Sequence, residues 1–168
     1  MGFSVTIAST IVLIGLIAFA GSLSTTMFCA INNVFVLLNT VSDKSNVQLE
    51  LEIVSVNASE IQFYVRNTGS KVIFLLDQGF KWNSAVVSYN NSFWRSYLIE
   101  DYTILEIKVT GTNVSFNVNT HSCVNPGEEV HIQASLPSGA PEIPINGTFI
   151  VVFASHYGVG AIKEGVRT

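Results

Sequence analysis

Apolar residues fall along this chain in two different rhythms. From Phe3 to Leu38 they are nearly continuous, and reading from Met1 the first charged side chains are Asp43 and Lys44. From Ser45 onward they alternate with polar residues. A charge at the centre of a membrane helix costs roughly 2.5–3.5 kcal/mol on insertion scales, so an uncharged segment of this length predicts a helix that lies in lipid. A bilayer core needs about 20 helical residues, whereas Phe3 to Leu38 would extend roughly 54 Å at about 1.5 Å per residue. The pattern therefore predicts a span from Phe3 to about Met27, anchored by Phe3, Ile11, Leu13, Leu16 and Phe19, and then a protruding stalk from Phe28 to Val41. In the stalk Phe28, Ile31, Phe35, Leu38 and Val41 recur at three- and four-residue steps as one apolar stripe. Such a stripe is covered either by a partner, a second copy included, or by the chain's own globular domain.

The later rhythm has period two, the signature of half-buried strands. Val47, Leu49, Leu51 and Ile53 oppose Gln48, Glu50 and Glu52; Ile61, Phe63 and Val65 oppose Gln62, Tyr64 and Arg66. Leu105, Ile107 and Val109 form a third set, Val114, Phe116 and Val118 a fourth, and Val130, Ile132, Ala134 and Leu136 a fifth. Val72 to Leu76 and Phe149 to Ala154 are apolar on both sides, as in fully buried strands. Turn signals separate the runs, among them Asn67-Thr-Gly69, Asp77-Gln-Gly79, Asn125-Pro-Gly127 and Asn146-Gly147. Short strands at this spacing predict an all-β fold, a two-sheet antiparallel β-sandwich over residues 43–168, preceded by the helix and stalk of residues 1–42. Pro137, Pro141 and Pro144 mark Ser138 to Pro144 as a rigid loop.

Charge and cysteine content refine this picture. Formal net charge is −4 and no basic run occurs, so nucleic acid is not an expected partner. A secretory signal peptide would carry a basic segment ahead of its apolar core; none precedes Phe3, so the helix is expected to be retained, although Ala18-Phe19-Ala20 and Ala20-Gly21-Ser22 have the form of cleavage sites. Sequons at Asn57, Asn90, Asn113 and Asn146 are acceptor patterns for N-glycosylation, which has meaning only on an exported surface. They place the C-terminal domain outside the membrane. Cys29 and Cys123 sit in different regions and are not expected to pair.

Little in the sequence carries chemistry. His121-Ser-Cys123 brings two metal-ligand types together, but a structural zinc site takes four. No Gly-x-Ser-x-Gly elbow is present, and Gly158-Val-Gly160 is too short for a phosphate loop. No catalytic residue, cofactor or metal is expected; a hydrolase would need polar groups clustered in a cleft. The strongest candidate for a partner surface is Asn90-Asn-Ser-Phe-Trp-Arg-Ser-Tyr97, because aromatic residues and arginine dominate binding hot spots. Phe93, Trp94, Arg95 and Tyr97, with Trp82 beside them and Tyr89 and Tyr102 framing the same edge, would supply it. The competing reading puts Phe93 or Trp94 in the sandwich core. The doubly apolar strand Phe149 to Phe153 is a second candidate, its extra face covered by a partner copy or a loop.

Two stretches carry a family resemblance. Val65-Arg-Asn-Thr-Gly-Ser-Lys-Val-Ile73 resembles a strand–turn–strand signature of archaeal flagellin-like surface domains, and Asn125-Pro-Gly-Glu-Glu-Val130 is similar to a turn found in the same group. With Met1-Gly-Phe-Ser4 and the long helix, the whole chain resembles the ArlF (FlaF) family of archaellum accessory proteins. The resemblance implies an Ig-like β-sandwich outside the cell membrane on a single-pass anchor, no enzyme activity, and a stator role in archaeal motility. The partners it implies are the surface-layer protein, other archaellum components and membrane lipid; a second copy of the chain is a candidate partner on the grounds of the stalk's apolar stripe. It also leaves a filament subunit as the alternative, with the N-terminal helix in the filament core. Flagellins and pilins carry basic residues before the glycine at which their leader is cut, and Gly2 here has none.

Overall fold

In the computed structural model the chain divides into two compact units, Met1–Ser42 and Asp43–Thr168. Residues 2–77, 79–100 and 102–168 are described, with the backbone alone for 2–6, 39, 40, 43 and 77. The predicted anchor Phe3 therefore lies outside the described side chains.

The first unit is helical. Helix α1 runs over Gly2–Ser45, without a proline to break it. Its apolar stretch Ile7–Leu38 is 32 residues long with a mean hydropathy of 2.1, and its described side chains are all exposed. Ile11, Leu13, Leu16 and Phe19 present 59–65% of their surface. Four hydroxyls near its middle turn inward on the backbone: Ser24 donates to the carbonyl of Ala20 (2.9 Å), Thr25 to that of Gly21 (2.9 Å), Ser22 to that of Phe19 (2.8 Å), and Thr26 to that of Ser22. These four are thereby satisfied without water, which is what lipid demands.

The second unit is an antiparallel β-sandwich. Its strands in chain order are β1 (Leu49–Val56), β2 (Glu60–Asn67), β3 (Ile73–Phe74), β4 (Leu76–Asp77) and β5 (Phe80–Lys81). There follow β6 (Ser84–Asn91), β7 (Phe93–Ile99), β8 (Thr103–Val109) and β9 (Ser115–Phe116). The last are β10 (Cys123–Val124), β11 (Glu128–Ser135), β12 (Thr148–Ala154) and β13 (Gly160–Val166). Sheet I has the order β1-β2-β11-β8-β9 and sheet II the order β13-β12-β6-β7; β3 pairs with β10, and β4 with β5. Between the sheets lies one core, including Ile61, Phe63, Val65, Val130 and Ile132 from sheet I and Val87, Tyr89, Phe149, Val151 and Phe153 from sheet II, each at most 2% exposed.

Two polar loops are locked together by one buried side chain. Asn67, fully buried, donates from Nδ2 to the carbonyls of Lys71 (2.7 Å) and Val124 (2.9 Å), and its own carbonyl accepts the Gly127 amide (2.9 Å). The Asn125-Pro-Gly127 turn needs its glycine, which sits at φ +83° with the Glu128 amide bonded to the Asn125 carbonyl at 3.0 Å. Gly69 is required for a different reason. A Cβ there would come within 2.5 Å of the Asn46 carbonyl oxygen and the Gln48 amide. The two stretches that carry the family resemblance are thus neighbours in space.

The structure corrects three strand expectations. Val72 to Leu76 is not one doubly buried strand: Ile73 and Leu75 are buried, but Phe74 is 49% exposed, and the strand is a two-residue piece paired with Cys123 and Val124 outside the two main sheets. Of Val114 to Val118 only Ser115 and Phe116 pair, since the Asn117 carbonyl is taken by the amides of Thr120 and His121 and the chain turns there. Leu105 does not share a face with Ile107 in the ladder. The partner of Glu106 is His131 and that of Ile104 is Ile132, so Leu105 is the extra residue of a β-bulge and is 42% exposed.

Candidate functional site

The predicted hot spot straddles an edge strand. β7 pairs with β6 on one side only, in the register Asn90↔Trp94, Tyr89↔Arg95, Val87↔Tyr97 and Val86↔Leu98. Alternation puts Phe93, Arg95 and Tyr97 on the core-facing side and Trp94 on the outer side. Neither Phe93 (57% exposed) nor Trp94 (52%) fills the core. Phe93 is instead covered by the Arg95 guanidinium, 4.2 Å from its ring centre, and Tyr97 stacks on Tyr89 at 5.5 Å.

Three members of the predicted set belong elsewhere. Tyr89 and Tyr102 are buried, not framing an edge. Tyr89 donates its hydroxyl to the Pro141 carbonyl, pinning the proline-rich loop; burial first, and Tyr97 second, push its pKa up to about 12. Trp82 precedes β6, whereas Trp94 pairs near that strand's far end, about eight residues or ~26 Å along an extended chain. It joins a separate aromatic group with Phe74, His156 and Tyr157.

Register builds a surface of which the sequence announced one strand, Phe149 to Phe153. On the outer side of sheet II, Leu98 pairs with Val86, Val86 with Val152, and Val152 with Ile162, one apolar row crossing all four strands. Ile162 is 69% and Leu98 53% exposed, with Val86 and Val152 half-buried between them. Ile150 extends the row by one step along β12, which is the second face of the predicted strand Phe149 to Phe153. The next row, Ser96–Ser88–Ile150–Glu164, begins its polar margin, with the two serine hydroxyls bonded at 2.8 Å. Trp94 flanks the same face beside Asn90.

The outer side of sheet I is the opposite in kind. Glu50, Arg66, Glu129 and Lys108 stand in one cross-strand row of alternating sign. Arg66 lies 3.1 Å from Glu129, 3.4 Å from Glu50 and 3.7 Å from Glu52, and Lys108 lies 3.3 Å from Glu129.

The sequons and candidate ligands are distributed over the domain. Asn57, Asn90, Asn113 and Asn146 are all exposed. His121 is bonded to Glu128 at 2.9 Å, not to Cys123, and the Asn125 amide and side chain hold the same carboxylate. Burial opposes ionisation of Glu128, but these bonds together outweigh it and hold the carboxyl below its usual range. Among the described residues no three His, Cys, Asp or Glu side chains converge on a metal-sized site, and both cysteines are free.

Neither a family profile nor a curated protein sequence matches this chain. Solved structures do. The chain is similar to the subunit of the archaeal flagellum of Methanospirillum hungatei, at 18% identity and a TM-score of 0.58, over 96% of this chain and 93% of that one. Weaker likenesses are to the archaellum periplasmic stator protein FlaG of Sulfolobus acidocaldarius (15% identity, TM-score 0.45, 71% of this chain and 99% of that one) and to a chain of the FlaF–FlaG stator complex from the same organism (13%, 0.46, 71% and 88%). The fold class is therefore that of an Ig-like antiparallel β-sandwich carried on one long N-terminal helix.

Proposed function

We propose that this chain works in the archaeal motility filament apparatus as a non-catalytic, membrane-anchored accessory protein, a stator part of the ArlF type. Its helix holds one end in the cell membrane, and its sandwich, outside the cell, grips the surface layer. The observation that carries this reading is the pairing of an uncharged 32-residue apolar helix with a sandwich whose sheet II exposes an apolar row. A motor turns a filament only if something else is held still, and a tether fixed at both ends resists the reaction torque. On this reading the partner surface is the row Leu98–Val86–Val152–Ile162 with Trp94 at its margin, while Phe93, Arg95 and Tyr97 line the adjoining edge.

To test it, full-length chain reconstituted in lipid vesicles is mixed with purified surface-layer sheets and sedimented. Vesicles that travel with the sheets support the tether; vesicles left wholly in the supernatant refute it. The second reading, a subunit of the filament with the helix in its core, is favoured by a fold likeness to a filament subunit that runs through almost the whole chain. Cell fractionation separates the two: a tether stays with the membranes, and a subunit appears in sheared filaments.

A further inference from the structure

One end of the sandwich carries an aromatic cleft that the tether does not use. Phe74, Leu76, Trp82, Ser122, His156 and Tyr157 line an open cavity of about 630 Å³, well inside the ~300–1,000 Å³ typical of ligand sites. His156 lies among three other rings, with centroids 4.1 Å from Tyr157, 5.7 Å from Phe74 and 6.0 Å from Trp82. Phe74 and Trp82 keep about half their surface open to water, 49% and 52%.

The segments that carry these residues are tied together by Asn83, which is 5% exposed. Its Nδ2 donates to the Phe74 carbonyl at 2.8 Å, its Oδ1 accepts the His156 amide at 3.0 Å, and its carbonyl accepts the Tyr102 hydroxyl at 3.3 Å. One buried side chain thus fixes β3, the start of β6 and the turn after β12 around a single opening, the kind of support that preorganises a site. Asn83 Oδ1 also lies 3.4 Å from His156 Nδ1, which assigns the ring proton there and leaves Nε2 as an acceptor. Burial lowers the pKa of His156, favouring the neutral ring. Among the described residues His156 Nε2, Trp82 Nε1, Ser122 Oγ and Tyr157 Oη bond to no other side chain or backbone group.

We propose that this cleft binds a neutral pyranose ring of a glycan. A pyranose has a C–H face that packs on aromatic rings and a rim of hydroxyls that both donate and accept. The cleft has both parts: the rings of Phe74, Trp82 and Tyr157 for the first, and the uncommitted polar atoms of its lining residues for the second. A quaternary ammonium could use the rings alone but would leave the hydrogen-bonding atoms of the lining without partners, as would a purely apolar occupant.

The chain has two tryptophans, so Trp94→Phe leaves Trp82 as the sole reporter. Full-length protein in a polyoxyethylene detergent, which carries neither sugar nor ammonium, is titrated with neutral trisaccharides of glucose, mannose and N-acetylglucosamine. A saturable shift in Trp82 emission with at least one of them is expected. Calorimetry on the otherwise unaltered chain is expected to show Trp82→Ala weakening that sugar by at least ~10-fold, with an unchanged circular dichroism spectrum, and Phe80→Ala leaving it untouched. The proposal is overturned if none of the sugars shifts the emission, if Trp82→Ala binds as well as the parent, or if only tetramethylammonium or hexaproline produces the shift. None of these outcomes depends on surface-layer sheets, so the site and the tether succeed or fail separately.

Discussion

On the outside of sheet I, Glu50, Arg66, Glu129 and Lys108 form a row that neutralises itself; on the outside of sheet II the corresponding row is Leu98, Val86, Val152 and Ile162. Both rows cross four strands and cover the same core. The charged row is finished as it stands, each charge beside its opposite and the rest met by solvent. The apolar row leaves its surface in water, a cost that a contact would remove at about 25 cal/mol per Å² of area covered. A sandwich with one complete and one incomplete face has a built-in direction for assembly, and that asymmetry is open to experiment.

The largest expected effect on stability comes from the layer that both faces share. Phe149→Ala removes a fully buried ring and should cost about 3–5 kcal/mol in denaturant unfolding, whatever is bound outside. Next is the charged row. The Glu129 side chain is only 6% exposed between Arg66 and Lys108, so Glu129→Ala should cost about 1–3 kcal/mol by leaving two cations adjacent. Glu50, 64% exposed and bonded to the same guanidinium, should cost no more than about 1 kcal/mol when changed to Ala. Equal losses at the two positions would mean that burial does not govern this row.

Acid should weaken the polar sheet selectively. Glu128, at the start of β11, has a carboxyl pKa below its unfolded value of about 4.3. Its contribution is complete above that unfolded value and is lost as pH falls through the lower folded value. Thermal melts from about pH 5 to about pH 3 should therefore drop more steeply for the parent than for Glu128→Gln; parallel curves would refute the assignment. The smallest stability effect belongs to the apolar face. Ile162→Lys, at an edge-strand position 69% exposed, should change unfolding by less than about 0.5 kcal/mol. The same variant should nevertheless cut surface-layer sedimentation sharply. Retained sedimentation would move the contact off this face.

The sequence made β2 and β11 of sheet I readable and most of sheet II obscure. Ile61–Val65 and Val130–Leu136 alternate cleanly because one side meets the core and the other meets a charged, solvated row. In β6 the outward Val86 is as apolar as the inward Ala85 and Val87, so period two fades. In β7, Phe93 and Trp94 point to opposite faces while both are exposed, which no alternation rule distinguishes from a core segment. Two glycines and two charges disguise β13 as a loop. The apolar row was readable only in part: the second face of Phe149 to Phe153 pointed to Val152, but Leu98, Val86 and Ile162 join it only once two hairpins distant in sequence are set in register. The cleft around His156 depends on Asn83 joining segments 73 positions apart, and a single buried asparagine leaves no local mark.

The helix sets one further constraint. Its 32-residue apolar stretch is about 48 Å long, against roughly 30 Å of bilayer hydrocarbon. Leaning it until the whole length fits would need an inclination near ~50°, outside the 0–40° that spanning helices adopt. Hydrophobic mismatch of this size is not absorbed by posture alone. If the N-terminal part is immersed, close to three turns of greasy surface emerge into water and require a sheath, so the shaft itself demands company before the sandwich grips anything.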